Sequence, residues 1–305
     1  MKISAAVSLS LSALVVGAGA WLYTPDRPRL ALETAYPASY LEVAGIRLRL
    51  RDEGPRDAPV LLLLHGFGAS LQTWDGWTAM LTPHWRVVRI DLPGFGLTGP
   101  DPTGDYSDRR TDQILLALLD RLDIARATLI GNSMGGRMAW LFAASHPERV
   151  EKLVLVSPDG FASPGVPYGK PDELPLLVRL LPYVLPKPLL RTSLAPAYAD
   201  QKRLTNTTVT RYYNMMRAPG TRGAIVARAA QTMIEDPVPV LARIQAPTLL
   251  IWGERDAMIP FGNANDYLRA MPHATLAPLP GLGHIPFEED PARSIVPLLT
   301  FLSRP

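Results

Sequence analysis

The stretch Gly131-Asn132-Ser133-Met134-Gly135-Gly136 constrains this chain more than any other. It lies between a short apolar run, Ala127 to Ile130, and a helix-compatible run, Arg137 to Ser145. A strand that turns sharply into a helix through G-x-S-x-G presents its serine hydroxyl at the top of a sheet, on a strained backbone. Gly131 and Gly135 must then lack a Cβ so that the arms of the turn can approach each other. The expectation is an elbow carrying a nucleophilic serine.

The surrounding pattern agrees with that elbow. Val60 to Leu64 and Val87 to Ile90 are continuous apolar runs, closed by His65-Gly66 and Asp91-Leu92-Pro93-Gly94. Such runs suit strands buried on both faces. Helix-compatible segments at Thr73 to Leu81 and Thr111 to Leu122 separate the strands, and Leu153 to Val156 supplies a further one. Tyr40 to Val43 and Ile46 to Arg51 alternate around Ala44-Gly45 and predict a hairpin. Strands alternating with helices mean a mostly parallel sheet with helices on both faces.

The alternation breaks after the strand ending at Val156. Eight prolines fall between Pro158 and Pro188, and two long helix-compatible stretches follow, Asp200 to Arg217 and Thr221 to Glu235. It resumes with Thr248 to Gly253, a helix around Ala264 to Ala270, a run at Thr275 to Leu279 and a closing helix from Pro291. Asp290 is placed to cap that last helix. The implied organisation is a core in two parts, residues 40–158 and 236–305, with a helical cap inserted at 159–235.

The first 25 residues stand apart. No charge occurs between Lys2 and Asp26, and Ile3 to Tyr23 provides 21 apolar or small residues, enough for a helix to span a bilayer. A retained anchor is the favoured reading, with the catalytic domain outside the cytoplasm. The alternative is a cleaved signal peptide ending near Ala18-Gly19-Ala20, which leaves a periplasmic or secreted protein. Residues 26–39, rich in proline, read as a linker.

Composition narrows the chemistry. The 305-residue chain has no cysteine, which excludes disulfides, thiolate metal sites and a cysteine nucleophile. Its five histidines show no metal-ligand spacing, and its net charge of +3 is dispersed, giving nucleic-acid binding no basis. Gly94-Phe95-Gly96-Leu97-Thr98-Gly99 matches G-x-G-x-x-G, but Pro100 and Pro102 prevent the helix that a dinucleotide needs. No cofactor is expected. Oligomeric state is not legible.

A serine nucleophile needs a base, an acid behind the base, and donors for the oxyanion. Downstream of Ser133, Gly253-Glu254-Arg255-Asp256 follows one strand and Gly281-Leu282-Gly283-His284 follows the next. His284 is the candidate base and Asp256 the candidate acid. Asp159, after the strand ending at Val156, competes for the same role, and Asp256 is preferred for its strand-end position before His284. The candidate oxyanion donors are the backbone N–H groups of Met134, after the nucleophile, and Phe67, in the loop after an early strand. His65 is expected to brace that loop rather than to act as a base.

Together, His65-Gly66-Phe67-Gly68, Asp91 to Gly96, Gly131 to Gly136, Gly253 to Asp256 and Gly283-His284 make the chain from about Tyr40 onward resemble the α/β-hydrolase superfamily. Within it, the chain is most similar to membrane-anchored or exported bacterial esterases and lipases with a helical cap. The resemblance implies a Ser-Asp-His triad and cleavage of a small, apolar carboxyl ester without a cofactor. Gly-Asn-Ser-Met-Gly-Gly also occurs in C–C bond hydrolases acting on ring-fission products. Those usually carry Gly-Pro-Gly in the oxyanion loop and an aromatic residue after the histidine, where this chain has Phe67-Gly68-Ala69 and Ile285. A non-catalytic, ligand-binding protein of the same fold is the third reading.

Overall fold

The computed structural model describes residues 23–162, 168–169 and 174–304. Eight strands form one sheet: β1 (Ser39–Val43), β2 (Ile46–Glu53), β3 (Val60–Leu64), β4 (Arg86–Ile90), β5 (Ala127–Asn132), β6 (Val150–Val156), β7 (Thr248–Gly253) and β8 (Ala274–Leu279). Their order is β1-β2-β4-β3-β5-β6-β7-β8. β1, β2 and β4 pair antiparallel, and every other pairing is parallel. The β1–β2 hairpin turns at Ala44 and Gly45, both with positive φ, as a two-residue turn matched to strand twist requires.

The apolar runs fill two layers because successive side chains alternate across a sheet. Leu62, Leu64, Leu129 and Leu155 pack with Ile114, Leu118, Met138 and Phe142 from the helices Asp108–Arg121 and Met134–Ser145. Leu61, Leu63, Ile130 and Val154 face the other way, onto Trp74, Trp77, Phe287 and Leu298. Burial on both faces is why these strands read as unbroken apolar stretches.

Between β6 and β7 the chain leaves the sheet and forms the helices Leu176–Arg179, Lys187–Leu194, Asn206–Met216 and Thr221–Gln231. The third begins six residues later than its sequence pattern suggests. Asp200 turns its N–H to Glu289, a short 3-10 turn follows at Gln201–Arg203, and Thr205 caps the helix by accepting from the Thr208 N–H. The closing helix is broken at Ile295 into Pro291–Ser294 and Val296–Leu302, with Asp290 accepting from the Arg293 N–H as its cap.

Two expectations about the N-terminal region differ from what is found. Residues 26–39 are not a plain linker: they contain a helix, Arg29–Ala35, whose Leu32 is buried with Leu97, Met215 and Ala218. The Arg27 N–H donates to the Arg217 carbonyl at 2.8 Å, so this segment straps the cap. Its flanking prolines hid a helix of only seven residues.

The membrane-anchored localisation is also corrected. Among the described residues no helix is long and apolar enough to cross a membrane. The 14-residue helix Asp108–Arg121 would reach about 21 Å, against a hydrocarbon core of about 30 Å. The expected span at 3–23 lies, except for Tyr23, outside the described residues.

Candidate active site

Ser133 stands between β5 and the helix Met134–Ser145 with φ 52° and ψ −122°, a conformation that costs a non-glycine residue about 1–3 kcal/mol. Packing holds it there. The Ser133 N–H donates to Val156 O at 3.1 Å, and its carbonyl accepts from the Arg137 and Asp159 N–H groups at 3.0 Å each. A Cβ on Gly131 would collide with the Gly135 carbonyl, and one on Gly135 with the carbonyls of Leu64 and His65. Glycine is therefore a steric necessity at both positions.

The His284 loop meets this turn from the far side of β6. His284 Nδ1 lies 2.8 Å from Asp256 Oδ2, with both side chains almost wholly buried. Asp256 Oδ1 accepts the N–H groups of Met258 and Ile259 at 2.8 Å each, which fixes the carboxylate in position. With the imidazole donating from Nδ1, Nε2 is left as the basic nitrogen. Asp159 is directed elsewhere: its carboxylate faces Arg137 Nε at 3.9 Å. Asn132, beside the serine, donates to the carbonyls of Val156 at 3.0 Å and His284 at 3.1 Å. That amide ties the elbow to the histidine loop.

Gly66 lies against the elbow, where a Cβ would meet Asn132 Oδ1 at 2.8 Å and Ser133 Cβ at 3.2 Å. The Leu92 N–H donates to His65 Nε2 at 3.0 Å, so the His65 proton sits on Nδ1 and is donated to the Gly66 carbonyl at 2.7 Å. In a trans peptide the carbonyl and the next N–H point in opposite directions. Holding the Gly66 oxygen towards His65 thus turns the Phe67 N–H away from it. The Met134 N–H opens a helix and has no intrahelical acceptor. Burial pushes the His65 pKa down, consistent with a neutral brace.

Asp91 organises the neighbouring loop. Its carboxylate accepts from Arg49 Nη1 at 2.8 Å and from the N–H groups of Leu71 and Leu97 at 2.7 Å each. A Cβ on Gly96 would strike that carboxylate, so the glycines of Gly94 to Gly99 serve a turn and open no helix.

Sequence reasoning missed Glu289. It is 3 % exposed, and its two oxygens accept the N–H groups of Asp200 at 2.7 Å and Gly283 at 2.8 Å. The signal available was an acid five residues after His284, inside the run Glu288-Glu289-Asp290 that otherwise reads as surface. Cap residues Leu185, Leu190, Tyr212 and Met216 share one buried cluster with Met134 and Phe95. Cavities of about 530 Å³, at Tyr36, Gln72 and Arg211, and about 340 Å³, at Arg137, Trp140 and Met233, are lined by neither Ser133 nor His284. Among the described residues, no group of three or more His, Asp and Glu is placed to hold a metal.

Comparison with known proteins agrees with this architecture. A family model for the alpha/beta hydrolase fold matches residues 59–291. A 2-hydroxy-6-oxononadienedioate/2-hydroxy-6-oxononatrienedioate hydrolase of Burkholderia vietnamiensis is 32% identical over 270 residues, covering 85% of this chain and 92% of that protein. A crystal structure of a membrane phospholipase A, a bacterial virulence factor, superposes with a TM-score of 0.75 at 26% identity, covering 99% of this chain and 98% of that one. The enol-lactonase of Burkholderia xenovorans has a TM-score of 0.74 at 25% identity, covering 87% of this chain and 100% of that one. With its elbow, its sheet order and a match running through most of its length, the chain belongs to the α/β-hydrolase family.

Proposed function

We propose that this protein is a serine hydrolase that cleaves carboxyl esters through an acyl-enzyme on Ser133. His284 Nε2 takes the serine proton as the hydroxyl attacks the ester carbonyl, and Asp256 orients the imidazole and stabilises its charged form. The N–H groups of Phe67 and Met134 bind the oxyanion, and each such donor is worth about 3 kcal/mol of transition-state stabilisation. His284 returns the proton to the leaving alcohol. Water, activated by the same histidine, then releases the acid.

The observation that carries this reading is the 2.8 Å contact between His284 Nδ1 and the doubly anchored Asp256, beside a serine at φ 52°. The whole-length likeness to a membrane phospholipase A supports the esterase and lipase reading. The second reading, a C–C bond hydrolase of ring-fission products, draws on the 32% identity to a dienedioate hydrolase.

The test is steady-state hydrolysis of p-nitrophenyl esters of increasing acyl length, with Ser133→Ala as control. Turnover abolished in the variant supports the ester reading, and the chain-length optimum then separates esterase from lipase. Equal, slow rates in both proteins on every ester overturn it. A dienoate substrate cleaved by wild type alone would then establish the C–C reading. Failure to label Ser133 with a fluorophosphonate would instead favour a binding protein.

A further inference from the structure

The first half of the cap exposes an unusual surface. Leu176, Leu177 and Tyr183 are 70 %, 71 % and 61 % exposed, and Leu180 and Leu189 add to the same stretch. From Leu174 to Ala199 there are three cations, Arg179, Lys187 and Arg191, and no acid. The strap brings Arg27 to this face, beside Arg217 at the end of the cap helix Asn206–Met216. The Thr24 N–H donates to the Tyr183 carbonyl, Arg27 bonds Arg217 through the backbone, and Lys187 and Arg217 both lie over the Tyr213 ring.

Several cations of the core are paired directly with acids. Arg49, Arg86, Arg110 and Arg149 each sit at 2.8–2.9 Å from a carboxylate. Arg27, Arg179, Lys187, Arg191 and Arg217 instead donate to neutral acceptors: Asn214, Leu174, Thr210, Asn206 and Pro25 respectively. Among the described residues none of the five has a carboxylate within 4.0 Å. Among the described residues, their charge therefore meets no acid around an apolar projection.

We propose that this face of the cap docks on a lipid surface bearing anionic headgroups. The leucines and Tyr183 enter the boundary between headgroups and acyl chains, and the cations meet the headgroup phosphates. Charge selects this occupant. A second copy of the same face would set cation against cation, and an uncharged lipid surface would leave the five cations unanswered. The surface lies on the cap, whose Leu185, Leu190 and Met216 pack with Met134 of the elbow. On the ester-hydrolase reading, docking there would bring an apolar ester held in the lipid close to the elbow.

The chain has no cysteine, so a single introduced thiol can be labelled uniquely. The full-length protein carrying Leu177→Cys, labelled with a polarity-sensitive fluorophore, is titrated with phosphatidylglycerol vesicles and separately with phosphatidylcholine vesicles. Val296→Cys, on an exposed site of the core, is the control. The expected result is a blue shift at residue 177 with phosphatidylglycerol only, and none at residue 296. Adding Lys187→Gln and Arg217→Gln should weaken that response about twenty-five-fold, at roughly fivefold per cation near an anionic surface. No shift at residue 177, the same shift with both lipids, or an equal shift at residue 296 overturns the proposal. So does a vesicle-independent shift that grows with protein concentration, which would assign the face to a second copy. None of these readouts requires turnover, so they stand apart from the ester assay.

Discussion

Glu289 accepts the Asp200 N–H at 2.7 Å with one carboxylate oxygen and, with the other, the Gly283 N–H at 2.8 Å. One buried side chain thereby joins the cap to the loop that carries His284. The His284 N–H donates to the Ala197 carbonyl at 2.9 Å, and a Cβ on Gly283 would strike the backbone at Ala197 to Ala199. The position of the imidazole thus depends on the cap as well as on the sheet.

Glu289→Gln keeps the shape but replaces one acceptor oxygen with a donor, which faces an N–H. An unfulfilled buried donor costs about 1–3 kcal/mol. We expect a loss of that size in urea denaturation, and a fall in kcat greater than any rise in KM, because His284 is displaced rather than the substrate.

Ser133→Ala should lower kcat for p-nitrophenyl esters by at least about 10⁴-fold. Circular dichroism and the unfolding midpoint should change little, since the elbow is held by backbone hydrogen bonds to Val156 and Asp159.

Asp256→Asn should cost about 10⁴-fold in kcat, because an amide cannot hold the imidazole in the tautomer that leaves Nε2 basic. Asp159→Asn should stay within a few-fold of wild type, with its side chain 3.9 Å from Arg137 and His284 already bonded to Asp256. Parallel kinetics of the two variants check the assignment, and the reverse order would refute it.

The His65 brace gives stability a pH signature. Burial lowers its folded pKa below the ordinary 6.5, so near and below that pH the unfolded chain binds a proton that the native state refuses. Its contribution is fully present above about pH 6.5 and is lost as pH falls towards the folded pKa, by up to about 1.4 kcal/mol per pH unit. Urea unfolding at about pH 7.5 and about pH 5.5 should show this slope in wild type and a reduced one in His65→Gln.

Much of this was legible in the chain itself. The strand runs and the sharp glycine-flanked turn of the hydrolase fold rest on local constraints, in which a glycine at a collision point or an apolar run marks its own neighbourhood. Tertiary structure decided what depends on groups far apart in sequence. It paired His284 with Asp256 and turned Asp159 towards Arg137, since strand order and loop direction set which carboxylate reaches the ring. It converted the supposed linker into a strap, because Leu32 finds Leu97 and Met215 only after the cap has folded back. It also made Glu289, one acid in an acidic run, a buried tie between cap and histidine loop. Local sterics are written in neighbouring residues, whereas the energy of a buried polar contact exists only once both partners have left water.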